Sequence, residues 1–354
     1  VMSNDKYLSI LDEIKRKGGS VDFTELNKRV LIVDGLNTFI RVFSVMPTVN
    51  ENGIHVGGIV GFLKSIGFAI NMFNPTRTVI VFDGKGGSNR RRKLYPEYKN
   101  KRRTKYRVNR VESLGNVEDE RKNMYMQLRR VADYLELLPL TTISVDGIEA
   151  DDAIAYIAKS VIKDGEKIIM STDKDFLQLV SDDIKVWSPT KKKLYDREAV
   201  LEEYCVTASN FIMAKVFEGD KSDNIGGVKG IATKTLIKNI PFLGDMDNNY
   251  RLEEIYKYAH KHKDDGCSFC AKVLQNQELL ERNYKLMQLE DVNISGSTKT
   301  RLIDIIRSPI QRLVKYKFET MFMEDRLFQN LPNVSSWLGQ NFTTMDKYAE
   351  QTYG

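Results

Sequence analysis

The sequence predicts an α/β fold: a parallel-rich central sheet with helices on both faces, followed by a mostly helical C-terminal region. Three observations predict it. Short apolar, β-branched runs recur, and several stop at an aspartate, often as Asp-Gly. Segments with helical apolar spacing separate those runs, as strand–helix alternation in a parallel sheet requires. Finally, the 354 residues are 42% hydrophobic and 29% charged, enough apolar material for a large core and incompatible with a disordered, collagen-like or coiled-coil chain.

Taken in order, residues 3–18 read as a short amphipathic helix, with Leu8, Leu11 and Ile14 on one face and Gly18-Gly19 ending it. Residues 30–33 form the first strand and stop at Asp34-Gly35. Residues 58–72 are apolar almost throughout, as in a buried helix; Lys64 interrupts the run, which is too short to cross a bilayer. Residues 78–82 form a second strand ending at Asp83-Gly84, and 141–145 a third ending at Asp146-Gly147. Met124, Leu128, Val131 and Leu135 make one helical stripe, and Ile154, Ile157, Ala158 and Val161 another. Residues 168–170 and 184–187 are the remaining strands. Beyond residue 208 the pattern is helical, and from about 330 it is polar with scattered aromatics, as in a loosely held tail. No basic-then-apolar leader opens the chain, and three cysteines make no disulfide framework, so a cytoplasmic location is expected.

The net charge of +6 is unevenly placed. Residues 85–107 hold eleven Lys or Arg and one acid, Glu97, so this segment carries +10 while the rest of the chain sums to −4. So basic a stretch calls for a polyanion, and nucleic acid is the leading candidate.

The chemistry lies in the acids. Asp34 and Asp83 end strands, Glu149, Asp151 and Asp152 open a helix, Asp173 and Asp175 follow a strand, and Asp220 and Asp223 share a loop. Singly, each suits a helix cap or a turn. If the strand order gathers them on one rim, their mutual repulsion requires cations. Oxygen-only ligands favour magnesium or manganese, and a pair of such ions can cleave a phosphodiester without a histidine base.

These residues resemble the 5′ nucleases of the flap endonuclease superfamily, nearest the bacteriophage 5′-exonuclease or ribonuclease H type and the 5′-nuclease domain of bacterial DNA polymerase I. The matching stretches are Leu31-Ile32-Val33-Asp34-Gly35, Val81-Phe82-Asp83-Gly84, Pro96-Glu97-Tyr98-Lys99, Glu149-Ala150-Asp151-Asp152, Ser171-Thr172-Asp173-Lys174-Asp175 and Gly219-Asp220-Lys221-Ser222-Asp223-Asn224-Ile225. The resemblance implies a PIN-like nuclease core at 30–205 with a basic helical arch at about 85–130. It places a helical N-terminal extension at 1–29, a DNA-binding region at 206–330 with a helix–three-turn–helix at about 208–240, and a tail at 331–354. Asp83, Glu149, Asp151 and Asp152 would line one Mg2+ (or Mn2+) site, and Asp173, Asp175, Asp220 and Asp223 a second, with Asp34 acting directly or through water. Lys99 and Arg102 would face the scissile phosphate, Tyr98 would stack on an end base, and Arg90, Arg91, Arg92 and Arg103 would hold phosphates. Gly227, Lys229, Gly230 and Lys234 would meet duplex DNA, with K+ between loop and phosphate; Ala232 stands where the family usually has a glycine.

The expected function is a metal-dependent 5′→3′ exonuclease or flap endonuclease, with ribonuclease H activity, acting on flapped, gapped or RNA-primed DNA in replication or repair of a bacterial or phage-infected cell. Its expected state is a monomer, with single-stranded-DNA-binding protein or a sliding clamp as partners. The rivals are a ribonuclease acting on free RNA and a catalytically inactive branched-DNA-binding module. A separate cluster, His260, His262, Cys267 and Cys270, has spacing compatible with structural zinc. Trp337 and Phe342 read as packing residues or as a docking tail.

Overall fold

In a computed structural model, the structure describes residues 23–100, 108, 109, 111 and 114–353. The predicted helix at 3–18, together with Arg102 and Arg103, lies outside the described residues.

Six strands form the central sheet: β1 (Arg29–Asp34), β2 (Arg77–Phe82), β3 (Thr141–Ser144), β4 (Glu166–Met170), β5 (Ile184–Ser188) and β6 (Lys193–Tyr195). Their spatial order is β3-β2-β1-β4-β5-β6. All neighbours are parallel except β5 and β6, which pair antiparallel. The five predicted strands are the five parallel ones. β6 was not predicted; its three residues, between the turn at 189–192 and the helix that begins at Arg197, are too few to show a period.

The chain builds outward from β1 through β2 to β3, then crosses to β4 on the other side of β1. That reversal puts a crevice beyond the carboxyl ends of β1 and β4, the place where open α/β sheets bind ligands. Helices α1 (Gly35–Val45), α2 (Gly57–Phe73), α3 (Asn89–Leu94), α4 (Val117–Leu135) and α5 (Ala150–Tyr156) come from the connections. One face of the sheet packs on α1, α2 and α4 through Leu31, Val33, Phe39, Phe62 and Val131. The opposite face packs on α5 through Val30, Ile32, Val79, Ala153 and Ile154. Both faces are therefore dry, which is why β1 and β2 read as unbroken apolar runs.

A second core unites α6 (Phe211–Glu218), α7 (Thr233–Asn239) and α8 (Gln277–Met287) around Phe217, Leu236, Ile255 and Leu280. Between α6 and α7 the chain makes a small hairpin, Gly219–Asp220 against Ile225–Gly226. The loop then turns back on α6: a Cβ on Gly227 would lie 2.2 Å from the Glu218 carbonyl oxygen, so only glycine passes here.

The loose tail expected at 331–354 is instead an 18-residue helix, Val334–Gln351. Its Leu338, Phe342 and Met345 are buried, and Trp337 lies over Gly67 and packs on Phe318 and Phe342. The aromatics are spent on packing against α2, where the missing side chain of Gly67 admits the indole. No helix among the described residues is long and apolar enough to cross a membrane.

Candidate active site

Four aspartates face one cleft of about 320 Å³ at the sheet's carboxyl edge: Asp34, Asp83, Asp151 and Asp173. Each is placed by backbone chemistry. Asp34 ends β1 and caps α1, one oxygen accepting from the Asn37 N–H at 3.1 Å and the other from the Ser171 hydroxyl at 3.0 Å. Asp83, beyond β2, accepts from the Ala150 N–H at 2.8 Å, at the start of α5. Asp173, beyond β4, accepts from the Asp175 N–H at 2.9 Å. Asp151 sits in the first turn of α5. Gly84 keeps the rim tight, since a Cβ there would lie 1.7 Å from the Val145 carbonyl oxygen.

The electrostatics follow. Burial pushes the Asp34 carboxyl up to about 7 against its two hydrogen bonds, with the charges of Asp83 and Asp173 adding to the shift. Burial also raises Asp151, helped by Asp173 and Asp34. A second group adjoins the first. Burial and the Asp173 charge push Asp175 up to about 7, while Lys215 opposes them. The Lys215 ammonium bridges Asp175 at 2.9 Å and Asp220 at 3.1 Å. Asp220 is held below its usual range, its burial outweighed by Ser222 and Lys215. Its Oδ1 accepts from the Ser222 N–H at 2.7 Å and the Asp223 N–H at 3.2 Å.

Glu149 and Asp152 are used differently from the expectation. Both are buried, at 3% and 2% exposure. Asp152 takes a two-pronged pair from Arg91 (2.7 and 2.9 Å) and a contact from Arg90 at 3.2 Å. Glu149 pairs with Arg91 and with the Lys99 ammonium, and receives the Tyr98 hydroxyl at 3.2 Å. Burial alone would raise Glu149, yet Lys99 and Arg91 hold it below its ordinary value. Two residues assigned to DNA contact are thereby corrected. Arg91, 4% exposed, is a buried counter-ion whose Nε also donates to the Leu286 carbonyl at 2.8 Å. Tyr98, 3% exposed, is walled into the helical core and has no face to offer a base. Charge count in a basic run cannot separate a buried arginine from exposed ones.

Lys99 lines the acidic cleft. Its backbone is left-handed at φ 56°, an uncommon conformation for a long side chain, and one that clusters at functional sites. Arg92, Lys229, Gly230 and Lys234 are exposed, Gly227 is half-buried, and Arg90 is partly withdrawn onto Asp152. Ala232 takes φ −92°, extended backbone that alanine accepts without strain. The loop carbonyls of Gly226 and Val228 accept from Asn283 (2.8 Å) and from the Ile231 N–H (3.0 Å). Sequence reasoning missed Lys215 and also Arg41, which lines the acidic cleft. A lone lysine inside the apolar Phe-Ile-Met-Ala-Lys-Val-Phe run of α6 was the available signal.

The zinc cluster does not assemble. Cys267 and Cys270 are joined to each other, and His262 pairs with Asp265 at 2.9 Å. No three His, Cys, Asp or Glu side chains among the described residues are already gathered into a metal cage, the acidic cleft included. What the cleft offers is an oxygen-only donor set whose charges repel, which suits a hard divalent ion better than zinc.

Residues 29–205 match the family described as 5′-3′ exonuclease, N-terminal resolvase-like domain. A 5′-3′ exonuclease of Aquifex aeolicus is 29% identical over 85% of this chain and 94% of its own length. A DNA polymerase I of Bacillus caldotenax is 29% identical over 80% of this chain and 31% of its own length. Among solved structures, bacteriophage T5 5′-exonuclease with bound zinc matches with a TM-score of 0.59 at 22% identity, covering 84% of this chain and 98% of its own. Human GEN1 in complex with Holliday junction DNA matches at 0.51 and 15% identity, over 90% of this chain and 73% of its own.

Proposed function

Since the chain belongs to the 5′-3′ exonuclease family and is a nuclease, we propose that it cleaves phosphodiesters near the 5′ ends of flapped, gapped or RNA-primed DNA with the help of two divalent cations. The observation that carries this is the meeting of Asp34, Asp83, Asp151 and Asp173 with Lys99 on one cleft. Metal-bound relatives such as T5 5′-exonuclease support the cation requirement. Asp34, Asp83, Asp151 and Asp173 would hold one Mg2+ or Mn2+, and Asp175, Asp220 and Asp223 would hold or support a second. Glu149 and Asp152 act at one remove, keeping Arg91 and Lys99 in place. Bound divalent cations supply Lewis acidity and an activated water.

The chain's own residues do the rest. Lys99 offers an ammonium to the phosphate, a donor placed where negative charge grows in the transition state. Lys215 helps keep Asp220 ionised and opposes the upward push on Asp175. Arg102 would join Lys99 at the scissile phosphate, while Arg92 and Arg103 guide the strand by charge. Lys229 and Lys234, beside the glycines of the α6–α7 loop, hold duplex phosphates. The test is a labelled 5′-flap duplex with Mg2+: cleavage near the junction, abolished by a chelator, supports the reading. Cutting of free RNA in preference to the flap supports the ribonuclease, and tight flap binding without cleavage the inactive module. An RNA-primed duplex in the same assay decides ribonuclease H activity.

A further inference from the structure

We infer that Asn224 is a positioning residue that sets Lys99 in the cleft and ties its placement to the loop between α6 and α7. The inference rests on the nuclease reading for its activity readout only. Lys99 sits at the end of the turn 95–100, where left-handed backbone turns its side chain back toward Glu149. Three hydrogen bonds fasten this turn to the loop, the longest from the Asn224 amide to the Glu97 carboxylate at 3.5 Å. The Lys99 N–H donates to the Asp223 carbonyl at 2.9 Å, and the Asn224 side-chain amide donates to the Glu97 carbonyl at 3.0 Å. Asn224 is itself left-handed, at φ 61°, a conformation asparagine tolerates far better than most residues. Left-handed residues therefore stand on both sides of a two-point clamp, each needed to bring its partner into register.

The clamp continues into the acidic site. The Asp223 N–H is held by Asp220, and Asp220 is held by Lys215, which also reaches Asp175. On its other side the loop runs directly through Ile225 and Gly226 to Gly227 and Lys229, the residues proposed to meet duplex phosphate. A shift of the loop is thus transmitted to the Lys99 backbone without passing through any long, flexible side chain. A lysine on a free loop would sample many positions, whereas this one is referenced to the duplex-binding loop at two main-chain points.

The test uses Asn224→Gly, which keeps the left-handed backbone without strain and deletes the amide, and Asn224→Asp, which keeps the shape and deletes the donor. The first readout needs no nuclease activity: acylation of Lys99 by an amine-reactive ester, followed by mass spectrometry and normalised to exposed Lys93. Both variants should label Lys99 at least about threefold faster than the parent protein. Equal labelling overturns the inference. The second readout is single-turnover cleavage of the 5′ flap, expected to fall about tenfold with flap affinity in chelator unchanged, the size of one lost positioning hydrogen bond. In a Lys99→Ala background the same substitution should cost nothing further, because Asn224 acts through Lys99. Additive losses, or a loss confined to affinity, overturn the inference. If the parent protein leaves the flap uncut while Lys99 labelling still rises, the substrate reading fails and the positioning role stands.

Discussion

Replacing Arg91 by methionine tests the buried half of the site. In the folded protein Arg91 serves Glu149, both oxygens of Asp152 and the Leu286 carbonyl. Methionine fills much of the same volume but leaves Asp152 with Arg90 alone and Glu149 with Lys99 and Tyr98. Stranding buried carboxylates in this way costs ~3–5 kcal/mol, and the surviving partners place the expectation near the lower end. The orphaned Leu286 carbonyl adds ~1 kcal/mol. Urea denaturation in chelator should therefore show a loss of about 4 kcal/mol, and the melting temperature of this 354-residue chain should drop by roughly 5 °C. The salt dependence of flap binding should be unchanged, because this guanidinium meets no phosphate. Arg92→Ala is the control: it should leave stability within ~0.5 kcal/mol and lower the salt slope by about one. If Arg91→Met melts with the parent protein and instead flattens the salt dependence, the buried-counter-ion reasoning is wrong and Arg91 is a phosphate ligand.

Asp34→Asn should reduce flap cleavage by at least ~10³-fold while raising the melting temperature of the metal-free protein, since it removes a charge that is costly to bury; a lower melting temperature would show that the carboxylate stabilises the fold. Folded Asp34 and Asp175 keep their protons up to about pH 7, against 3.8 when unperturbed, so the folded state binds more protons than the unfolded one between those values. Stability in chelator should then decline as pH rises from 4 to 7, on the order of 1 kcal/mol per unit, with Mg2+ restoring it at pH 8; a rise over that interval in urea titrations would contradict the assignment. Lys99→Ala should slow single-turnover cleavage by roughly 10²-fold with flap affinity in chelator within about threefold, and a pure affinity loss would remove Lys99 from the reacting phosphate.

The sheet was legible because both its faces are buried. Runs such as Leu31-Ile32-Val33 and Val79-Ile80-Val81 have no solvent side, so apolarity alone marks them. The carboxylates were legible because the chain places aspartates just where those runs stop. What the sequence could not convey was which charges neutralise each other inside. Arg91 and Arg92 are adjacent and chemically alike, yet one is a buried counter-ion and the other faces solvent. The carboxylates of Glu149 and Asp152, with the approach of α8 that brings the Leu286 carbonyl to Arg91, separate them. The C-terminal helix escaped for a related reason. Its apolar stripe of Leu338, Phe342 and Met345 is diluted by Ser, Thr, Asn and Gln, and its partner is a glycine on α2 far away in sequence.

The plain structural reading of the acids and the catalytic one are not rivals in this molecule. An aspartate has two oxygens, and the fold gives them different tasks. Asp83 spends one on the first N–H of α5, and Asp173 one on the turn after β4. These bonds cost the carboxylates little freedom to reach into the cleft, and they remove the rotamer entropy that a metal ligand would otherwise lose on binding. Asp34 is the extreme case: with both oxygens accepting hydrogen bonds from Asn37 and Ser171, burial still drives its pKa upward. The backbone can orient such a charge but cannot neutralise it. A parallel sheet that turns at β1 therefore delivers capped, oriented and under-neutralised carboxylates to one crevice, and a divalent cation is the simplest partner able to complete the charge balance there.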